Sequence, residues 1–275
     1  MSVAKPFDWR NLRLRALSAA ILAPAVVAVV WFGGWPFLLM VAAAVALLSV
    51  EWGVMSAPSR PLRSALPIAL AVLACLFLGF LGYTAAAWAV LPVGAVLVAL
   101  FAAFGRSERP ADLAFGVLYI GAPSLALVWL RSGAVGRDWA LMMLAIAWAA
   151  DIFAFVAGNV FKGPKLWPRF SPNKTWSGFI GGLAASALAA VIVVALAKGE
   201  GDPTRGWAAV IGLIVGLFTM AGDLWESMLK RRFGVKDSGQ LIPGHGGLLD
   251  RVDGLMFAIL AMAAARLIAH LTGYL

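Results

Sequence analysis

Four polar side chains recur at helical spacing in the segment GDLWESMLKRRF, within a chain that is otherwise mostly apolar. They are Asp223, Glu226, Ser227 and Lys230. Their spacing of i, i+3, i+4 and i+7 places all four on one face of a helix. One interpretation is a ladder of salt bridges between helices. The other is a catalytic site, because carboxylates inside a membrane are expensive and are usually functional.

A glycine-rich segment and two more acids follow that helix. Asp250 and Asp253 are three residues apart, so two helix ends bring carboxylates to one hairpin. Ligands that offer only oxygen suit a hard ion such as Mg²⁺, which keeps water and substrate phosphate oxygens as its other ligands. Nearby cations suit phosphate, and glycines let backbone amides approach an anion. These residues are Lys230, Arg231, Lys236, Arg251, Gly244, Gly246 and Gly247. The combination predicts phosphoryl or nucleotidyl transfer.

The elements that must position these residues are membrane helices. Apolar residues make up 63% of the chain and charged residues 13%, and the apolar residues form blocks of roughly 20, the length of a helix that crosses a bilayer. The blocks lack the alternation of barrel strands, so an all-α fold of about nine transmembrane helices is predicted. The predicted spans are residues 14–33, 37–55, 65–82, 84–104, 113–130, 138–161, 177–197, 207–230 and 252–273.

The organisation predicted for this chain is a single membrane domain over residues 1–275. Residues 1–140 supply N-terminal spans, and residues 141–275 form the half that carries the polar motif. Another acid, Asp151, lies deep in an apolar block of that half. Glycine pairs at 178/182 and 212/216 have the spacing that lets membrane helices approach closely.

Basic residues predict the orientation of the spans. The N-terminal segment and alternate connections carry seventeen Lys and Arg residues, whereas the intervening connections carry four. Because cytoplasmic loops retain Lys and Arg, the N-terminus is expected in the cytoplasm and the C-terminus outside. The formal charge of +9 is thereby explained by loops that face an anionic leaflet, and nucleic acid is not expected as a partner. The single cysteine, Cys75, excludes a disulfide within the chain.

The motif resembles the signature of a known family, the phosphatidate cytidylyltransferases, also called CDP-diacylglycerol synthases. That signature reads S-x-apolar-K-R, four residues, K-D-x-small, two residues, apolar-P-x-H-G-G-apolar-x-D-R-apolar-D, and residues 227–253 match it. The resemblance extends to GDLWES (222–227), SPNKTWSGFIGG (171–182) and, more loosely, DIFAFVAGNVFKG (151–163). It covers the C-terminal half, whereas residues 1–140 resemble the family only in being spans. Phe155, Asn159 and Ser177 depart from the family, which commonly has Tyr, a basic residue and Glu there.

The resemblance implies a reaction and its partners. Members of that family transfer CMP from CTP to phosphatidic acid, which gives CDP-diacylglycerol and pyrophosphate with Mg²⁺ as cofactor. The same activity is expected here, with one or two metal ions, in a homodimer within a bacterial cytoplasmic (inner) membrane. The active site is expected to face the cytoplasm.

The expected roles follow from the motif. Asp223 and Asp250 are predicted to hold the metal, with Ser227 and Asp253 as further oxygen ligands. Lys230 and Lys236 are predicted to complete the catalytic set by holding phosphate. The remaining predicted substrate contacts are Lys174 and Ser171 in the proline-bounded SPNKT loop, Asp151, Arg231, His245, Gly246, Gly247 and Arg251.

Three other functions compete with this one. An ion-coupled transporter would use the intramembrane acids as cation sites, but it predicts related halves and a site at the midplane, and no two halves of this sequence match. A CDP-alcohol phosphatidyltransferase would show a D-G-x-x-A-R segment, which is absent. A CTP-dependent polyprenol kinase is the nearest chemical alternative, and it differs in placing only a phosphate on the lipid.

Overall fold

The predicted all-α fold is confirmed. The computed structural model describes residues 9–105, 109–168, 170–197, 205–239 and 246–273, with the backbone alone for 9–19 and 205. In these ranges the helices are α1 (Trp9–Phe32), α2 (Gly34–Ser56), α3 (Pro61–Phe80), α4 (Thr84–Phe104), α5 (Pro110–Arg131), α6 (Gly136–Phe161), α7 (Trp176–Ala197), α8 (Arg205–Phe233) and α9 (Leu249–Leu271). By length and composition, α2 to α9 are able to cross a membrane. The apolar stretch described in α1, Ala20–Phe32, is shorter than these helices.

The helices extend past several predicted span ends. Pro61 and Pro110 occupy the first turns of α3 and α5, where proline is well tolerated because the N–H it lacks has no partner within a helix. Helix α8 continues to Phe233, and α9 begins at Leu249 rather than 252. Asp250 therefore lies in the first turn of α9 instead of before it.

A short β-hairpin between α6 and α7 corrects the prediction of a loop at SPNKT. Strands β1 (Lys165–Trp167) and β2 (Ser171–Thr175) pair antiparallel, with Trp167 opposite Ser171. Each of these two facing residues precedes a proline, which disfavours helical backbone and favours an extended one. The pairing of two such segments was not visible in the hydrophobic pattern.

Glycines set the closest helix approaches. A Cβ atom at Gly178 would lie 2.7 Å from the carbonyl oxygen of Ala154 on α6, and one at Gly212 would lie 2.5 Å from that of Ser186 on α7. The predicted close approach at both glycine pairs is confirmed. A third contact joins α8 and α9, where a Cβ at Gly222 would lie 2.6 Å from the carbonyl oxygen of Asp253. This crossing brings the acids of α8 and α9 together.

Arginines bind helix ends at the far side of the bundle from that crossing. Arg131 donates to the carbonyls of Val30 at 2.5 Å and Trp31 at 2.9 Å, at the end of α1. Arg266 donates to the carbonyls of Trp129 and Leu130, each at 2.7 Å, near the end of α5. Cations are favourable at helix C-termini because the last carbonyls there have no partner within the helix.

Enlarging Gly222 should disrupt the α8–α9 crossing. We expect Gly222→Leu to destabilise the protein by about 1–3 kcal/mol, because the new side chain has to displace the backbone of α9. The measurement is the thermal unfolding midpoint in detergent. Gly206→Leu on the same helix is the matched control, since a Cβ there meets nothing within 4 Å. Equal midpoints for the two variants would contradict the close crossing.

Candidate active site

The polar side chains of α8 and α9 form two tiers, and the inner tier is centred on Asp223. Lys174 on β2 forms an ion pair with the Asp223 carboxylate, which is only 15% exposed. Asp151 on α6 and Asp253 on α9 lie within electrostatic range of both members of this pair. Helices α6, α8 and α9 and the β1–β2 hairpin thus each contribute a charge to the same place.

The outer tier is centred on Lys230, about two turns further along α8 than Asp223. Its ammonium nitrogen lies 2.6 Å from Glu226 Oε2 and 2.6 Å from Asp250 Oδ1. Glu226 is 1% exposed and the Asp250 side chain 8%. Because burying an unpaired carboxylate is costly, Lys230 is the group that makes both acids tolerable here.

Asp250 also organises the described residues that precede α9. Its Oδ2 accepts hydrogen bonds from the Ser238 N–H at 3.0 Å, the Ser238 hydroxyl at 2.9 Å and the Gly247 N–H at 3.0 Å. Gly246 has φ +84°, a conformation that favours glycine. The two oxygens of Asp250 are therefore divided, with one on Lys230 and the other on the loop.

One acid that lies beside this loop was not predicted from the sequence. Glu51 on α2 is 2% exposed, and its carboxylate accepts from the N–H groups of Leu248 at 2.6 Å and Leu249 at 2.7 Å. The signal was present in the sequence, because Glu51 is a carboxylate within the predicted span 37–55 and such acids are functional by default. No local pattern connects it to a helix about 200 residues away.

A second unpredicted contact joins α5 to the end of α8. Arg232 Nη2 lies 2.5 Å from Asp112 Oδ1, and the carbonyl oxygen of Asp112 accepts from Trp52 Nε1 at 2.9 Å. The Trp52 ring packs edge-on against Phe233 with ring centroids 5.7 Å apart. The end of α8 is thus attached to both α2 and α5.

Other predicted site residues lie nearby with fewer contacts. Ser227 is half-buried on the face of α8 that carries Asp223, and Arg251 is exposed in the first turn of α9. Arg231 and Lys236 are also exposed, and Arg231 donates to the carbonyl of Val235 at 3.3 Å. Ser171 begins β2. His245 lies outside the described residues.

The three departures from the family pattern lie in different surroundings. Ser177 accepts from the Gly163 N–H at 3.2 Å and lies 3.1 Å from the Thr175 hydroxyl, so it ties the end of α6 to the start of α7. Phe155 and Asn159 are exposed on α6, where the Asn159 amide donates to the Phe155 carbonyl at 2.8 Å.

The acids of the two tiers are oxygen donors of the kind that bind a divalent metal ion. Within the described ranges, no group of three or more His, Cys, Asp or Glu side chains is placed to hold a metal alone. Mg²⁺ does not require such a cage, since it is commonly bound by one or two carboxylates with water and substrate phosphates. Five acids gather in the two tiers, whereas two lysines pair with them. This oxygen-only, acid-rich set fits Mg²⁺ in a site shared with a phosphate ligand.

The charges around Lys174 act on its pKa in opposite directions. Burial alone would lower the pKa of this ammonium group. The hydrogen-bonded ion pair with Asp223 and the nearby charges of Asp151 and Asp253 outweigh that effect, so the pKa is raised above its usual 10.5. Lys174 is therefore a fixed positive charge at neutral pH, as a phosphate-binding role requires.

Comparison with known proteins identifies the family. The model of the cytidylyltransferase family matches residues 13–269. The chain belongs to the cytidylyltransferase family. A phosphatidate cytidylyltransferase of Brucella abortus biovar 1 (strain 9-941) is 39% identical over 258 residues, 90% of each chain. One of Rickettsia felis is 30% identical over 254 residues, 90% of this chain and 89% of the relative. One of Staphylococcus saprophyticus is 38% identical over 151 residues, 54% of this chain and 56% of the relative.

This match corrects the extent of the resemblance. The sequence motifs placed the cytidylyltransferase likeness in the C-terminal half, whereas the family match begins at residue 13. The contacts of Glu51 and Asp112 with the C-terminal half give a physical reason for a family unit that includes the N-terminal spans.

Removing Lys230 should destabilise this cytidylyltransferase strongly. Lys230→Met leaves Glu226 and Asp250 buried without their cation, and we expect a loss of about 3–5 kcal/mol in the free energy of unfolding. Thermal unfolding in detergent measures it. Lys162→Met is the control, because Lys162 is exposed and forms no ion pair with a described residue. A Lys230→Met midpoint equal to that of the control would refute the outer tier.

The ion pair of Lys174 predicts a pH dependence. A raised pKa means that the pair stabilises the fold fully below the unfolded value of about 10.5 and loses this contribution as the pH rises through the folded value. We expect the difference in unfolding midpoint between wild type and Lys174→Gln to be constant from about pH 8 to 10 and to shrink above that range. A difference that is already falling between about pH 7 and 9 would contradict the raised pKa.

Proposed function

We propose that the protein is a phosphatidate cytidylyltransferase, which transfers CMP from CTP to phosphatidic acid and releases pyrophosphate. The observation that carries the proposal is the pair of lysine–carboxylate contacts, Lys174 with Asp223 and Lys230 with Asp250, in a chain that matches the family over nearly its whole length. The names of the relatives support the choice of lipid substrate.

The proposed chemistry needs little covalent help from the protein. An oxygen of the phosphatidate phosphate attacks the α-phosphorus of CTP, a new P–O bond forms, and the bond to the β-phosphate oxygen breaks to release pyrophosphate. A phosphomonoester is largely ionised near neutral pH, since its second pKa is about 6, so no general base is required. Catalysis then depends on alignment of the two phosphates and on compensation of their charge.

The residues divide this work between them. Lys174 and Lys230 are proposed to contact phosphate oxygens, and the exposed cations Lys236, Arg231 and Arg251 are proposed to assist them. Asp223 and Asp250 are proposed to hold one or two Mg²⁺ ions, with Ser227 and Asp253 as further oxygen donors. When bound, Mg²⁺ supplies neutralisation of the triphosphate charge. An ammonium group and a metal ion compete for the same carboxylate oxygens, so each lysine is expected to turn from its acid toward phosphate on substrate binding.

The remaining proposed contacts come from the loop before α9, from β2 and from α6. Gly246 is proposed to bring its backbone N–H close to phosphate, and Ser171 and Asp151 to contact substrate from the side of α6 and β2. The N–H of Gly247 donates to Asp250 Oδ2, so Gly247 is proposed to act on the substrate through the shape of the loop. His245 stays a prediction, as do the homodimer, the bacterial inner membrane and the cytoplasmic orientation of the site.

The reaction is tested with labelled CTP. Purified protein in detergent with phosphatidic acid and Mg²⁺ should place the label of [α-³²P]CTP on lipid and release the label of [γ-³²P]CTP as pyrophosphate. The opposite distribution, with only the γ label on lipid, would indicate a lipid kinase instead. No label on lipid from either nucleotide would overturn the proposal.

Neutralising the central acid should abolish turnover. We expect Asp223→Asn to lower kcat on the order of a hundredfold or more, because it weakens the binding of the Mg²⁺ ion that compensates the charge of the phosphates. Asp250→Asn should lower kcat by as much, although Asp250 also binds the loop before α9 through the Gly247 N–H. The control is Asp138→Asn, at the opposite end of the bundle, where the side chain is 45% exposed. Near-normal turnover by Asp223→Asn, with a normal unfolding midpoint, would refute its role.

A further inference from the structure

Helix α9 begins without a cap from its own sequence. The residue at the N-cap position is Leu248, which has no side-chain oxygen, whereas Ser, Thr, Asp and Asn are strongly preferred there. The first N–H groups of the helix are nevertheless bonded, because Glu51 Oε1 accepts from Leu248 and Glu51 Oε2 from Leu249. A carboxylate at this end is also favoured by the helix dipole. The cap of α9 is therefore supplied by α2.

The same carboxylate is linked to the proposed metal ligand of α9. The Ser238 hydroxyl lies 3.2 Å from Glu51 Oε2 and 2.9 Å from Asp250 Oδ2. A serine hydroxyl has one hydrogen to donate, so the two carboxylates share it. A Cβ at Gly247 would lie 2.8 Å from Glu51 Oε1, so glycine is needed for the loop to close against Glu51. The direction of the Asp250 carboxylate thus depends on where Glu51 stands.

The position of Glu51 is itself fixed by its neighbour. Trp52 is fully buried and packs against the rings of Tyr119 and Phe233, with centroids 5.3 and 5.7 Å apart. A Cβ at Gly116 would overlap the Trp52 ring, so α5 also limits how α2 can rotate. Helix α2 therefore presents Glu51 to the start of α9 in one orientation.

We propose that Glu51 is a positioning residue, which caps α9 and shares Ser238 so that Asp250 points toward Lys230 and the substrate phosphates. The N-terminal half of the chain then helps to build the site although it supplies none of the signature residues. This inference rests on the proposed function, because the effect on catalysis passes through Asp250. Glu51 touches no substrate in this account.

The test compares Glu51→Gln with a control on the same helix. Ser49→Ala is the control, since Ser49 is buried and its hydroxyl donates within α2, to the carbonyl of Val45. In Glu51→Gln we expect amide hydrogen exchange in residues 246–253 to become faster by about tenfold, the effect of losing a helix cap. We expect kcat to fall roughly 10–100-fold, as for other groups that orient a metal-binding side chain, with a smaller change in KM for CTP. Ser49→Ala should match wild type in all three measurements.

Two further variants separate positioning from simple destabilisation. Glu51→Asp keeps the charge, so it should recover part of the lost kcat, whereas a variant that acts only through stability would follow its unfolding midpoint. Ser238→Ala combined with Glu51→Gln should lose less kcat than the product of the two single losses, because both act through Asp250. Normal exchange at 246–253 in Glu51→Gln would overturn the cap, and faster exchange with kcat within about twofold of wild type would overturn the positioning role. If wild type itself made no lipid product, the proposed function would fail, and the exchange comparison would still decide the cap.

Discussion

A carboxylate buried among membrane helices is stable only when a cation or several N–H donors compensate its charge, and the architecture at one end of this bundle follows from that requirement. Four of the acids there have such compensation. Lys174 compensates Asp223, Lys230 compensates Glu226 and Asp250, and two backbone N–H groups compensate Glu51. Removing a single partner would leave a buried charge, which costs far more than the pair contributes when intact. These acids and their partners are therefore expected to be needed together for the protein to stay folded.

The two tiers arise from ordinary helix geometry. Acids three residues apart on α8 and on α9 lie about 4.5 Å apart along each axis, and the glycine crossing at Gly222 places the two helices side by side. The inner tier then receives Lys174 from the hairpin, and the outer tier receives Lys230 from α8 itself. A triphosphate that extends along the tiers would meet an ammonium group at each level, which suits a reaction whose main need is charge compensation on aligned phosphates.

The sequence was sufficient for the helices and for one side of the site. Hydrophobic blocks of membrane length predicted the helices because a bilayer leaves the backbone few alternatives, and helical spacing placed Asp223, Glu226 and Lys230 on one face. Contacts between distant segments were not predictable from periodicity. The pairing of β1 with β2 joins two short segments that have no shared hydrophobic pattern, and the cap of α9 by Glu51 joins residues 197 and 198 positions apart. Such contacts are decided by packing, which a single sequence does not display.

The central proposal, that acids of α8 and α9 hold nucleotide phosphates through a divalent ion, is tested most directly by metal binding. Mn²⁺ can replace Mg²⁺ as an oxygen-bound ion and is detected by electron paramagnetic resonance. With purified protein in detergent, we expect Mn²⁺ to bind at one or two sites per chain when CTP is present, and to bind weakly without it, because phosphate oxygens complete the site. Asp223→Asn should lose the CTP-dependent binding while it keeps its fold. Equal Mn²⁺ binding by wild type and by that variant in the presence of CTP would contradict the proposal.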